Sequence, residues 1–200
     1  MGDKYHSDDD VVIHAAELDA HIRSFMQELR TGYYFNPWPI RSRTTQALVA
    51  DQLYLMPFVV PRELTIDRLG MRVSAGDAGK IARLGIYKNG VNLYPGDLVI
   101  DAGTVDVSAA AGVAATIEQA LTKGLYWIAL VSDGTPSIYA AVYAYQVLGQ
   151  SIGNLDPDAA GLGYHKASVG SGALADPCVA SMSSGTYGKL YVSPRLKSLD

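Results

Sequence analysis

Glu63-Leu64-Thr65-Ile66-Asp67-Arg68-Leu69-Gly70-Met71-Arg72-Val73 decides the fold class of this chain. Leu64 and Ile66 share one side of an extended backbone, with Thr65 and Asp67 on the other, which is the period of a strand. Gly70 reads as a bulge or bend. Upstream, Leu53, Leu55 and Val59 alternate with Tyr54, Met56 and Phe58. Downstream, Ala82, Leu84 and Ile86 form one face, with Arg83 and Tyr87 opposite. Asn89-Gly90 predicts a tight type I′ hairpin, and Tyr94-Pro95-Gly96-Asp97 a second turn. Leu98-Val99-Ile100 and Thr104-Val105-Asp106-Val107 read as two short strands around Ala102-Gly103. Lys123-Gly124 leads into the most apolar strand, Leu125 to Val131, and Ile138 to Leu148 is the last long strand of the run. Strands at a spacing of about ten residues, with no intervening helices, predict a mainly β protein with an antiparallel jelly-roll-like β-sandwich.

The segment before the strands has a different period. Ser7 or Asp8 suits an N-cap, Asp8, Asp9 and Asp10 complement the positive end of a helix dipole, and Gly32 is a stop. Val11, Ala15, Leu18, Ile22, Phe25 and Leu29 are spaced four, three, four, three, four. That is a heptad seam, narrower than the stripe of a helix lying on its own domain. The expectation is an N-terminal helix over residues 1–32 that self-associates, with a trimer favoured, or else packs on the sandwich or another protein. Residues 33–45 read as an extended arm. Pro37 and Pro39 forbid helix, and Tyr34, Phe35 and Trp38 are its candidate anchors, against a neighbouring surface or under the sandwich edge. Arg41 to Thr45 gives a polar hinge. The β domain then runs over 46–200, with long Gly/Ser/Ala-rich surface loops at 149–188 and a closing strand from Lys189 to Val192 before Pro194.

The chain has 200 residues and a formal net charge of −4. That length supports one substantial core and an appendage. No basic patch suggests a nucleic-acid partner. No run reaches the roughly 18 apolar residues of a membrane span, so no membrane insertion is expected. The acidic start is unlike a signal peptide. The single cysteine, Cys178, has no intrachain disulfide partner and reads as a small buried apolar residue.

Motifs for chemistry fail one by one. Gly76-Asp77-Ala78-Gly79-Lys80 has too short a glycine spacing for a phosphate loop, and Ile81 replaces the Ser or Thr that would hold magnesium, so it reads as a hairpin loop. No Gly-x-Ser-x-Gly elbow exists. His14 and His21 lie about 10 Å apart along a helix, too far for one zinc. Asn154-Leu155-Asp156-Pro157-Asp158 opens like a calcium loop, but Ala159 and His165 stand where Gly and Glu are needed. No catalytic residue, metal ligand or cofactor is nominated, and an enzyme is not expected. Tyrosine is in excess, 13 against 3 phenylalanines. Tyr139, Tyr143 and Tyr145 share one parity and would form a glycan-stacking face, or else core or subunit interface.

The stretches Leu64 to Gly70, Ala82 to Tyr87, Leu98 to Val105 and Leu125 to Ala129 resemble the β-sandwich modules of tailed-bacteriophage fibres and spikes and of related gene-transfer particles. The resemblance spans about a third of the chain and carries no site residues. It implies a non-enzymatic virion component, a tail or head fibre, spike or connector. Such a component would assemble with itself and with other virion proteins, and would contribute to attachment at host-surface glycans. The alternative is a carbohydrate-binding sandwich module that uses exposed tyrosines.

Overall fold

A computed structural model describes residues 29–36, 43–141, 163–166, 168–178, 183–185 and 190–199. The chain divides between Arg30 and Thr31, and the architecture below belongs to the second unit, Thr31–Asp200. The heptad residues Val11 to Phe25 lie outside the described residues, as do Trp38, Tyr143 and Tyr145; Leu29 belongs to the first unit.

Among the described residues eleven strands make two antiparallel sheets: β1 Arg43–Ala47, β2 Leu53–Val60, β3 Leu64–Ala75, β4 Ile81–Asn89, β5 Pro95–Asp106, β6 Gly112–Leu121, β7 Gly124–Ser132, β8 Ser137–Ala141, β9 Gly163–Lys166, β10 Ser183–Gly185 and β11 Val192–Leu199. One sheet runs β1-β8-β3-β11, with β6 also on β3; the other runs β10-β9-β2-β7-β4-β5. The pairings nest. β4 pairs with β5, β3 with β6, β2 with β7 and β1 with β8, so the outermost strands of the run close on each other. The expected sandwich class holds.

The inner faces follow the alternation in the sequence. Leu64, Ile66, Leu69, Met71 and Val73 of β3 point inward, with Ala115, Ile138, Val192 and Leu196 from its neighbours. Tyr54, Met56 and Phe58 stand in register with Leu130, Ile128 and Tyr126 across β2 and β7, and Leu84 and Ile86 extend that layer onto β4. All of these are at most 5% exposed. Pro57 sits in a strand interior beyond the stretch Leu53 to Leu55 that pairs with β9 among the described residues, where its missing N–H costs that ladder nothing.

Five local expectations are corrected. Asn89-Gly90 is not a two-residue type I′ hairpin. Asn89 pairs with Pro95, a short 3-10 turn Val91–Leu93 lies between, and positive φ falls on Asn92 (55°) and Leu93 (60°). The two short strands around Gly103 are the single strand β5, shifted in register against β4, with Gly103 at φ 80°. The bulge of β3 falls at Asp67 and not at Gly70. It turns both Asp67 and Arg68 outward between inward Ile66 and Leu69. The polar hinge is strand from Arg43 onward. The closing strand begins at Val192 and continues through Pro194 to Leu199, where the arm lies beside it.

That arm is short and edge-paired. Gly32 N–H donates to Leu196 O, Leu196 N–H to Tyr33 O and Phe35 N–H to Pro194 O, with Tyr34 bridged to Arg195. Residues 31–36 thus extend the β3 sheet past β11.

Candidate functional site

The outer faces of the two sheets differ, and the difference locates the candidate site. On the β2-β7-β4 sheet the outer face is covered. Leu53, Leu55, Tyr87, Trp127, Ala129 and Val131 form a second buried cluster, with Val169, Leu174 and Cys178 packed against it. The segment 168–178, expected as free surface loop, is therefore a lid. Its anchors are specific. Arg83 Nη1 donates to both Asp101 oxygens at 2.9 Å and Arg83 Nε to Ser171 O at 3.2 Å. Leu174 N–H donates to Asp101 Oδ2, Tyr87 O–H to Ala175 O, Leu98 N–H to Asp176 Oδ1 and Cys178 N–H to Gly96 O. Burial alone would raise the Asp101 carboxyl, but the Gly103 and Leu174 amides and the Arg83 guanidinium outweigh it and hold it below its ordinary value. Burial pushes the Tyr87 hydroxyl far above its ordinary value, helped by Cys178 and Asp101 nearby, so it stays a donor. Cys178, expected as a small buried apolar residue, packs against the cluster from the end of this lid but is only half-buried.

Among the described residues, no segment covers the outer face of the β3 sheet as 168–178 covers the other. A groove of about 410 Å³ lies across β11, β3 and β6, lined by Tyr34, Arg68, Arg72, Tyr191 and Ser193 over Gly70, Gly112 and Ala114. The floor follows from register: Gly70 pairs with Ala114 on one side and Ser193 on the other, and Arg72 pairs with Gly112. Small residues in one row make a depression; arginines two positions to either side of Gly70 make its ends. Tyr34 reaches over from the arm, its ring so close to Gly70 that a Cβ there would lie 2.8 Å from Cε1. Gly70 is glycine for this contact.

Among the described residues, the groove arginines are not held in ion pairs, although Asp67 lies near enough to Arg68 to feel its charge. Arg68 stands opposite Arg195 across the β3–β11 ladder. The adjacent carboxylate, Asp67, is taken by Arg195, with Nε–Oδ1 at 2.7 Å and Nη2–Oδ2 at 2.5 Å. The Arg195 hydrogen bond holds the Asp67 carboxyl below its ordinary value. Glu118 is taken by Lys197 at 2.6 Å. Among the described residues, neither Arg68 nor Arg72 has an ion-pair partner. Arg68 Nε and Ser193 Oγ are buried with no hydrogen-bond partner, although Ser193 is only 6% exposed. Two such orphaned atoms in one groove are unusual in a folded protein. Burial pushes the Tyr191 hydroxyl up, so it too remains protonated.

Of the residues nominated from sequence, Tyr34, Phe35 and Tyr139 are described in this unit, and among these Tyr34 lines the groove. Tyr34 is 46% exposed; Phe35 is half-buried in the arm. Tyr139 is half-buried on β8 with the Arg43 guanidinium 5.1 Å over its ring, so that face is occupied. The Asn154 to Asp158 stretch lies outside the described residues. Gly76 to Lys80 joins β3 to β4, which lie in different sheets, so it is a crossover between sheets and not the expected hairpin loop; it is fastened by the Thr135 N–H to Asp77 Oδ2. Sequence reasoning missed Arg68, Arg72, Tyr191 and Ser193. The available signal was Arg-Leu-Gly-Met-Arg itself, two arginines and a glycine of one parity. Among the described residues no helix is long and apolar enough to cross a membrane. No protein-family model matches the chain, and no curated protein or solved structure does either.

Proposed function

We propose that this chain is a non-enzymatic structural component of a tailed-bacteriophage or gene-transfer particle, a fibre, spike or connector. Its body is a jelly roll, and an N-terminal helix and arm anchor or trimerise it. The observation that carries the reading is the nested pairing β1·β8, β2·β7, β3·β6 and β4·β5, distributed as β1-β8-β3-β6 and β2-β7-β4-β5. Such nesting supports a jelly-roll winding of eight of the strands. The four stretches that resemble phage sandwich modules fall on β3, β4, β5 and β7 of it. The arm supports the assembly half. Tyr33 and Tyr34 are 56% and 46% exposed on an edge-paired segment, where further chains have aromatic surface to pack on. Attachment to a host surface would use many weak sites held together by the assembly.

The test is mass in solution of the full chain beside a chain starting near Thr44. A trimer that falls to monomer on truncation supports the reading. A full chain that is already monomeric, and unaffected by loss of the helix, overturns it.

A glycan-binding module is the second reading. The observation that favours it is the open groove with arginine and tyrosine walls, and not Tyr139, whose ring face is covered by Arg43.

A further inference from the structure

We infer that the groove across β11, β3 and β6 binds a sugar unit carrying an oxyanion, a carboxylate or a phosphate ester, between Arg68 and Arg72. The inference deepens the attachment half of the proposed function by naming what is recognised; it does not need the particle assignment.

Four observations converge on that ligand. The first is charge. In a chain of net charge −4, two guanidiniums on one groove have no ion pair among the described residues, because Asp67, the carboxylate near Arg68, is gripped by Arg195, and Glu118 by Lys197. Arginine presents a planar fork of donors that matches carboxylate and phosphate oxygens. The second is the pair of orphaned buried atoms. Arg68 Nε lacks an acceptor and Ser193 Oγ lacks any partner, and both residues line the groove. A ligand that brings acceptor oxygens would satisfy Arg68, and a ligand hydroxyl would satisfy Ser193.

The third is shape. Arg68 and Arg72 are four residues apart on one strand, a span of about 13 Å along β3. The volume of about 410 Å³ lies at the small end of ligand sites, suited to one or two sugar rings. The fourth is the wall chemistry. Tyr34 and Tyr191 offer an apolar face with a hydroxyl at its tip, which suits a ring that is apolar on its faces and polar at its rim. A bare inorganic anion would leave these rings unused. A neutral sugar would leave both arginines unpaired.

The test uses the full chain and calorimetric titration with glucuronic acid and glucose 6-phosphate, against glucose and inorganic phosphate. Binding of at least one charged sugar, about tenfold or more tighter than glucose and than inorganic phosphate, is the expected result. Preference between the two charged sugars identifies the oxyanion. Arg72→Gln, at an exposed position that leaves folding intact, weakens that binding about tenfold. Ser193→Ala weakens it by a smaller factor, about threefold. Glucose binding as tightly as the charged sugars, inorganic phosphate binding as tightly as either, no binding at about 10 mM of any charged sugar, or an unchanged Arg72→Gln variant would each overturn the inference. Oligomeric state is recorded in the same samples. A monomer that binds charged sugar defeats the particle reading and leaves this one standing; a trimer that does not bind does the reverse.

Discussion

Arg83 grips both oxygens of Asp101 at 2.9 Å, and together the two hold down a segment that comes from far along the chain. Arg83 reaches Ser171 O and Asp101 accepts the Leu174 amide, contacts spanning 88 and 73 residues. The pair is the clasp of the 168–178 lid. Its effect is to bury the β2-β7-β4 sheet on both faces, while among the described residues the groove lies on the outer face of the β3 sheet.

The lid fits closely over Gly85. A Cβ there would lie 2.2 Å from Leu174 Cδ1 and 2.8 Å from Ile100 O. Gly85→Ala is expected to cost about 1–3 kcal/mol through overpacking. In a Leu174→Ala background the same change is expected to cost less, since only the Ile100 carbonyl remains to be displaced. Urea unfolding of the two single variants and the double variant measures this coupling; strictly additive costs would show that the lid does not rest on Gly85.

Acid is expected to loosen the clasp. Asp101 and Asp67 both have carboxyls held below the ordinary value of 3.8. A depressed folded-state pKa contributes stability that is fully present well above 3.8 and disappears as pH falls below it toward the folded value. Wild-type stability should therefore be flat near neutrality and fall below about pH 4. Asp101→Asn should be less stable than wild type at neutral pH, and the two curves should draw together in acid. Denaturant midpoints between about pH 7 and pH 3 check both limbs. A gap that does not narrow in acid would remove the carboxylate from the account.

Asn89 matters for the covered cluster. Its Oδ1 accepts the indole N–H of Trp127 at 3.0 Å, and Trp127 is fully buried. Asn89→Ala removes that acceptor and is expected to lower stability by about 1–3 kcal/mol. In a Trp38→Phe background, where Trp127 is the remaining tryptophan, the near-ultraviolet dichroism should weaken as the ring loses its fixed orientation. Unchanged stability and dichroism would mean that the bond orients nothing.

Removing residues 1–36 strips the edge of β11. Three backbone hydrogen bonds disappear, at Gly32–Leu196, Leu196–Tyr33 and Phe35–Pro194. At roughly 1 kcal/mol each, about 2–4 kcal/mol of stability should be lost. The bared strand should also promote association at high concentration, since an unpaired edge is a template for another chain. Thermal unfolding and light scattering of the truncated chain report the two effects separately.

How much of this was legible follows from the range of each interaction. Alternation in Leu64 to Val73 and in Ala82 to Tyr87 placed strands β3 and β4 within a residue or two, because side-chain parity is local. Turn chemistry was less reliable. Asn89-Gly90 carries a tight-turn signature, yet Gly96 packs so near Gly90 that a Cβ on either would lie 3.1 Å from the other's Cα, and the chain takes a wider turn through Asn92 and Leu93. The apolar runs Leu53 to Phe58 and Tyr126 to Val131 held a further signal. A strand with no polar face needs cover on both sides, and the lid supplies the second cover.

By itself the sequence determined the β class and the order of the strands, both consequences of side-chain pattern along a short window. The tertiary structure alone decided which strands pair, that Val169, Leu174 and Cys178 close one outer face, and that Tyr34, Arg68, Arg72, Tyr191 and Ser193 meet on the other. Backbone hydrogen bonding is nearly the same for every partner strand, so local pattern does not choose among partners. The choice is made when the whole apolar surface is buried at once, and residues as distant in sequence as Tyr34 and Tyr191 become neighbours only then.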